Sequence, residues 1–162
     1  MLPLNETPEQ KIERIVDEYS STLLRVALNQ TSNKTDAEDA VQTVFLKLLR
    51  LNPEFASAEH EKAWLIRVTV NQCKDMMRSG WNKKTTAMDE TLAETEQDDH
   101  FEVLNVVRTL PEKYRTVVYL YYFEGYSTAE IAALLETRQG TVESRLHRAR
   151  AKLRVLLEGG WD

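Results

Sequence analysis

From Ser127 to Leu157 the chain reads STAEIAALLETRQGTVESRLHRARAKLRVLL. Ser127 followed by Glu130 has the form of a capping box, in which a hydroxyl accepts from the third backbone N–H and a carboxylate reaches back to the cap. Ile131, Leu134 and Leu135 then give a short helix one apolar side. Three residues, Glu136, Thr137 and Arg138, separate it from a longer helix expected near 139–157. Short helix, tight turn and longer helix is the helix-turn-helix arrangement. The turn holds no glycine, so any position needing a positive φ is met at some cost.

Along the longer helix, Val142, Leu146, Ala149, Leu153 and Leu156 fall in a stripe about 80° wide and are expected to pack inward. Opposite project Glu143, Ser144, His147, Arg148 and Arg154. Between Arg138 and Arg154 six cations meet one anion, a local charge of +5. A basic surface helix solvated by its own charge has this composition too. The short helix before it favours a recognition helix in a major groove, with N-terminal residues reading base edges and arginines on phosphates. Each bidentate base contact there is worth about 1–3 kcal/mol of discrimination.

Upstream, Phe101, Leu104 and Val107 recur at helical spacing, and a helix is expected from Pro111 to Phe123 with Gly125 placed to stop it. Before them, Thr85 to Glu102 carries seven carboxylates and no Lys or Arg, the pattern of a flexible acidic linker. The expected architecture is all-α: two small helical domains, residues 1–79 and 100–162, joined by the linker at 80–99.

Working back to the N-terminus, Thr7-Pro8-Glu9-Gln10 is a helix start with a capping box, followed by an apolar face of Ile12, Ile15, Val16, Tyr19, Leu23 and Val26. The polar stretch Asn29 to Lys34 is expected to end it. Thr35 and Glu38 suggest another capping box, opening a helix buried through Val41, Val44, Phe45, Leu48 and Leu49 and stopped at Asn52-Pro53. A third helix, near 59–79, has an apolar stripe of Ala63, Ile66, Val70, Cys73 and Met77. About 100° around the axis lie His60, Trp64, Arg67, Asn71, Lys74 and Arg78, without a carboxylate among them. A solvated face would fit. Contact with nucleic acid fits as well, because stacking and phosphate pairing need those groups side by side.

The whole chain has 162 residues, 42% of them hydrophobic, and a net charge of −5. That sum argues against a protein that coats nucleic acid. Its distribution says more: a −7 run from Thr85 to Glu102 is averaged with a +5 helix, so weak DNA binding by the free chain is expected. The longest apolar-aromatic run, Val117 to Phe123, is far short of a membrane span. The N-terminus lacks the basic and apolar regions of a signal peptide. A lone cysteine, Cys73, excludes an internal disulfide, suits a reducing cytoplasm and reads as packing. His60, His100, His147 and Cys73 match no metal spacing, and no phosphate loop or nucleophile elbow is present. No metal, cofactor or catalytic group is expected.

Taken together, these segments resemble an extracytoplasmic-function (ECF) sigma factor, the smallest class of the sigma-70 family of bacterial RNA polymerase subunits. Asp36-Ala-Glu-Asp-Ala-Val-Gln-Thr-Val-Phe45 looks like region 2.2; Ala63-Trp-Leu-Ile-Arg-Val68 with Asn71, Asp75 and Arg78 looks like regions 2.3 and 2.4. Leu110-Pro-Glu-Lys-Tyr-Arg115, Phe123-Glu-Gly-Tyr-Ser127, Glu130-Ile-Ala132 and Gly140 to Arg150 resemble region 4. The resemblance implies a non-enzymatic factor that gives core RNA polymerase its promoter specificity, docking on the β′ coiled coil and the β flap. It implies polymerase binding by Asp39, Gln42 and Lys47, with Phe45 in the core. Opening of the −10 element and capture of a flipped base fall to Phe55, Ser57, His60, Trp64, Arg67, Asn71, Lys74 and Arg78. Duplex −35 recognition falls to Arg138, Gln139, Thr141, Glu143, Ser144, Arg145, His147 and Arg148. An anti-sigma factor is a further partner the family suggests. Departures from the family pattern are an acid at Glu143, where a basic residue is common, and the glycine-free turn near Glu136 and Arg138. The acidic linker could mimic nucleic acid in the polymerase's RNA channel and shield the basic helix.

Two other readings compete. A helix-turn-helix regulator binding operators alone would use the N-terminal helices to dimerise, but a dimer seam wants apolar residues where the third helix has Trp64, Arg67, Asn71 and Lys74. An anti-sigma-like adaptor working only through protein contacts is disfavoured by the +5 helix.

Overall fold

The computed structural model describes residues 2–79 and 101–160, and among these every regular element is a helix. The chain divides into two compact units, Met1–Met88 and Asp89–Asp162. The acidic linker expected at 80–99, with His100, lies outside the described residues. None of the described helices is long and apolar enough to cross a membrane.

The first unit is three helices packed pairwise: α1 (Pro8–Thr31), α2 (Lys34–Leu51) and α3 (Ala58–Arg78). The first capping box forms as read. The Thr7 hydroxyl accepts from Gln10 N–H at 3.1 Å, and the Gln10 side-chain Oε1 accepts from Thr7 N–H at 3.0 Å. The polar stretch Asn29 to Lys34 ends α1 as expected, at its third residue. Asn29, Gln30 and Thr31 are helical and buried, the Thr31 hydroxyl donating to Ala27 O at 2.9 Å, and only Ser32 turns into the left-handed region at φ 55°. The expected box at Thr35 and Glu38 is corrected. Asn33 caps α2, its side-chain oxygen accepting from Asp36 N–H at 2.9 Å, because an acceptor two residues earlier already satisfies the first turn.

Ala37, Ala40, Val41, Val44 and Leu48 fill the seams of α2. Leu49 is not core: it is 55% exposed, and Phe45 is half-buried. One residue is 100° on a helix, which turns Leu49 away from the seam Leu48 occupies. On α3 the buried arc is wider than the expected stripe and rotated from it, because the helix packs on both α1 and α2. Glu61, Leu65, Thr69 and Met76 join Ile66, Val70 and Cys73 inside, whereas Ala63 is half-buried and Met77 exposed.

The second unit comprises α4 (Phe101–Arg108), α5 (Glu112–Val118) with a π-helical turn at Tyr119–Phe123, α6 (Thr128–Leu134) and α7 (Gln139–Gly160). The Arg115 guanidinium on α5 is buried and donates to the carbonyls of Leu110 and Arg108, at 3.3 and 3.5 Å, closing the end of α4. The single regular helix expected to Phe123 widens instead into the π turn. It ends at Gly125, φ 77°, where Tyr126 N–H donates to Leu120 O at 3.1 Å. The Ser127–Glu130 box is present in both directions, at 2.9 and 3.1 Å. The glycine-free turn meets its positive φ at Glu136, φ 54°.

Val142, Leu146 and Ala149 of α7 are buried, but the stripe does not pack inward to its end. Leu153 is half-buried and Leu156 is 46% exposed. The 22 residues of α7 make about 33 Å of helix, longer than the eight-residue α4 and seven-residue α5 and α6 beneath it.

Candidate functional site

Two surfaces of the first unit gather the residues singled out from sequence. Residues 52–57 bring Phe55 against the first turns of α3, its ring edge-on to His60 (5.4 Å between centroids, 87°) and to Trp64 (5.5 Å, 60°). The Ala56 N–H donates to His60 Nδ1 at 3.0 Å, which fixes one nitrogen of the exposed imidazole against the loop. Ser57 is the cap of α3, its hydroxyl accepting from His60 N–H at 3.0 Å, which sets the entry of the helix. Beyond this aromatic cluster Arg67, Asn71 and Lys74 continue along the same side of α3, Asn71 exposed and the two cations half-buried. Arg78 closes the row but pairs with Asp75 at 3.1 Å, so a carboxylate does stand at its edge. Rings, amide and cations therefore follow one another along a single line, which suits a strand whose bases are unstacked.

On α2 the three residues assigned to polymerase are not on one face. Gln42 and Lys47 are about 140° apart. Lys47 Nζ donates to Gln72 Oε1 of α3 at 2.7 Å. Asp39 is half-buried and lines a 300 Å³ depression with Thr43, Gln72, Asp75, Met76 and Ser79. Gln42 alone of the three is exposed, and Leu46 (66% exposed) and Leu49 stand beside it. Sequence reasoning missed Leu46 and assigned Leu49 to the core. The signal was there in outline: α2 carries apolar residues on more sides than one seam requires.

The inside of this unit is held by charge as well as by apolar contact. Arg14 of α1 donates to both oxygens of Glu61, at 2.7 and 2.8 Å, and to Glu6 at 2.7 Å. These carboxylates push the guanidinium pKa up, against the effect of burial. Cys73 is buried on α3, and desolvation, with Asp36 nearby, pushes its thiol up to about 12. It is a neutral packing group.

In the second unit α7 presents the −35 candidates. Arg138, Gln139, Glu143, Ser144, His147 and Arg148 are exposed; Thr141 and Arg145 are half-buried. Gln139 donates to the Thr128 hydroxyl at 3.0 Å, tying the starts of α6 and α7 together. Thr141, Ser144, Arg145 and Arg148 line one side of a 390 Å³ cavity completed by Lys113 and Tyr114 of α5, with Gly140 at its rim. Lys113, missed from sequence, thus adds a cation from a separate helix. Arg150, counted in the +5 charge, turns the other way. Its Nε donates to the Tyr122 hydroxyl at 2.6 Å and the guanidinium sits over the Tyr121 and Tyr122 rings, contacts that raise its pKa. The Glu130 carboxyl is held below its ordinary value by the Ser127 backbone N–H, as a cap. No cluster able to hold a metal ion occurs among the described residues.

Two family models match the chain: Sigma-70 region 2 over residues 15–83 and Sigma-70 region 4 over residues 100–153. The ECF RNA polymerase sigma factor SigL of Mycobacterium tuberculosis is 32% identical over 155 residues, covering 89% of this chain and 87% of its own. RNA polymerase sigma factor SigV of Bacillus subtilis is 27% identical, with 94% of each chain covered. Among solved structures, CnrH, in complex with the cytosolic domain of CnrY, superimposes with a TM-score of 0.71 at 26% identity, covering 93% of this chain and 90% of its own. The fold is shared also with the sigma factor RpoE of Bartonella quintana, solved with the anti-sigma factor NepR, at a TM-score of 0.73 and 24% identity over 91% of this chain and 97% of that one. The chain belongs to the sigma-70 family of RNA polymerase sigma factors and is of the ECF type.

Proposed function

We propose that this protein binds core RNA polymerase and directs initiation at a specific set of promoters, reading −35 DNA as duplex and −10 DNA as an opened strand. The observation that carries this is the presence in one chain of two chemically different surfaces. One is a helix-turn-helix with exposed arginines, suited to a groove and its phosphates. The other is the Phe55–His60–Trp64 cluster with Arg67, Asn71 and Lys74 behind it, suited to an unstacked base and its backbone. An operator-binding regulator has no use for the second surface.

In this reading Trp64 and Phe55 offer ring faces and edges to a base swung out of the duplex, and Asn71 offers both a donor and an acceptor to a base edge. Arg67 and Lys74 neutralise phosphates along the strand. On α7, Arg138, Arg145 and Arg148 contact phosphates, and Gln139, Ser144 and His147 reach base edges. Glu143 can accept from a cytosine amino group. Polymerase docks on the exposed side of α2, where Gln42 is flanked by Leu46 and Leu49. Asp39 and Lys47, turned toward α3, act less directly. The factor does no covalent chemistry and works in the cytoplasm, where its template is. An anti-sigma factor, the kind of partner named for RpoE, is part of the proposal.

Polymerase docking supplies a direct test. Leu46→Ala/Leu49→Ala removes apolar surface that is already in water, so stability should hold while affinity for core polymerase falls by about tenfold or more. Unchanged affinity would move the docking surface elsewhere.

A further inference from the structure

Lys11 belongs to α1, yet its contacts reach the segment that precedes α3. Its ammonium donates to Asn52 Oδ1 at 3.3 Å and to the Pro53 carbonyl, and lies 5.0 Å from the centroid of the Phe55 ring. The other hydrogen bonds of residues 52–57 are local. Asn52 N–H donates to Leu48 O, Ala56 N–H to His60 Nδ1, and Ser57 caps α3. Lys11 instead crosses more than forty residues of sequence. Asn52 sits in the left-handed region at φ 40°, and Pro53 has no N–H to give, so the backbone here does little to hold itself. Three residues along, on the same side of α1, Arg14 holds Glu61. Two cations of one helix face thus secure the two ends of the segment that carries Phe55, His60 and the start of α3.

We propose that Lys11 is a positioning residue for the −10 base-reading loop, fixing Phe55 edge-on to His60 and Trp64 by holding Pro53 and the Phe55 ring from α1. This rests on the reading of that loop and α3 as the −10 surface. An ammonium–carbonyl hydrogen bond is charge-assisted, and a cation over the face of a ring adds an electrostatic attraction, so together they hold the loop without rigid backbone pairing. Lys11 touches no base itself. Its loss loosens the platform on which the base stacks and one contact to the Asn52 cap of α2, and leaves the exposed Gln42, Leu46 and Leu49 side of α2 unchanged.

The test compares Lys11→Met, which keeps the stem, with Lys11→Arg, which keeps the charge, in holoenzyme made with core polymerase. Opening is followed by 2-aminopurine placed through the −10 element. Lys11→Met should slow opening about tenfold, with core affinity and −35 duplex binding unchanged, and Lys11→Arg should restore most of it. In a Phe55→Ala background, Lys11→Met should add no further loss. A second measurement needs no polymerase: the 19F resonance of 5-fluorotryptophan at Trp64, assigned with Trp64→Phe, should move in Lys11→Met and stay in Lys11→Arg. Wild-type opening by Lys11→Met, a parallel fall in core affinity, or losses that add to those of Phe55→Ala would each overturn the assignment. Were the wild-type holoenzyme to open no promoter, the functional reading would fail, and the fluorine resonance would still decide whether Lys11 holds the cluster.

Discussion

Arg14 and Glu61 stand 47 residues apart in sequence and meet through two hydrogen bonds of 2.7 and 2.8 Å, with the Glu61 side chain fully buried. The pair joins α1 to the first turn of α3, one residue after His60. Glu61→Ala strips a half-buried guanidinium of its main partner and should destabilise the first unit by about 2 kcal/mol in chemical denaturation, less than a fully buried pair because Arg14 keeps contact with solvent and stays bonded to Glu6. A loss below about 0.5 kcal/mol would place this pair with exposed ones.

Cys73 gives a pH dependence. Its folded thiol is raised from an ordinary value of 9.0 to about 12, chiefly by desolvation. A raised folded value means that the unfolded chain loses its proton first as pH climbs. The contribution is complete below pH 9 and disappears between 9 and about 12. Denaturation midpoints of the wild type should fall across that window more steeply than those of Cys73→Ala. At pH 8 the folded thiol should resist alkylation until denaturant is added.

Arg148 and Arg150 are two residues apart with opposite roles. Arg148 lines the basic cavity beside Lys113, whereas Arg150 is bound to Tyr122. In holoenzyme binding to −35 duplex, Arg148→Ala should lower affinity and reduce the salt slope by about 1. Arg150→Ala should leave that slope unchanged and appear as lost stability. Equal slopes for the two variants would contradict the assignment.

Turn geometry can be tested through two positive-φ positions. At Gly125, φ 77°, an added Cβ meets nothing within 4 Å, so the cost of Gly125→Ala is conformational, about 1 kcal/mol. Glu136, φ 54°, carries that cost already, and Glu136→Gly should raise the melting temperature of the second unit.

Much of the fold could be read from spacing alone. The boxes at Thr7 and Ser127 are local, each closing over three residues, and both form as read. At Thr35 spacing is not enough: Asn33 competes for the same first turn, and nothing in the pattern ranks them. Leu49 and Leu156 were placed inside because they continue an apolar stripe, but a stripe says nothing of how far the neighbouring helix extends. The π turn at Tyr119–Phe123 lies in an unbroken aromatic-apolar run with no period to interrupt. At the site, Trp64, Asn71 and Arg148 were legible because they share helix faces. Lys11 and Lys113 were not, since each meets its site from another helix, and Arg150 counted as free charge until its tyrosine partners were seen.

The central claim is tested most directly by sequencing transcripts from a promoter library incubated with core polymerase, with and without this protein. Starts at a defined −35/−10 combination are expected only when both proteins are present, and should be lost when Trp64 and Asn71 are both replaced by Ala. High-affinity binding to a duplex site by the protein alone, with no specific starts when polymerase is added, would contradict it.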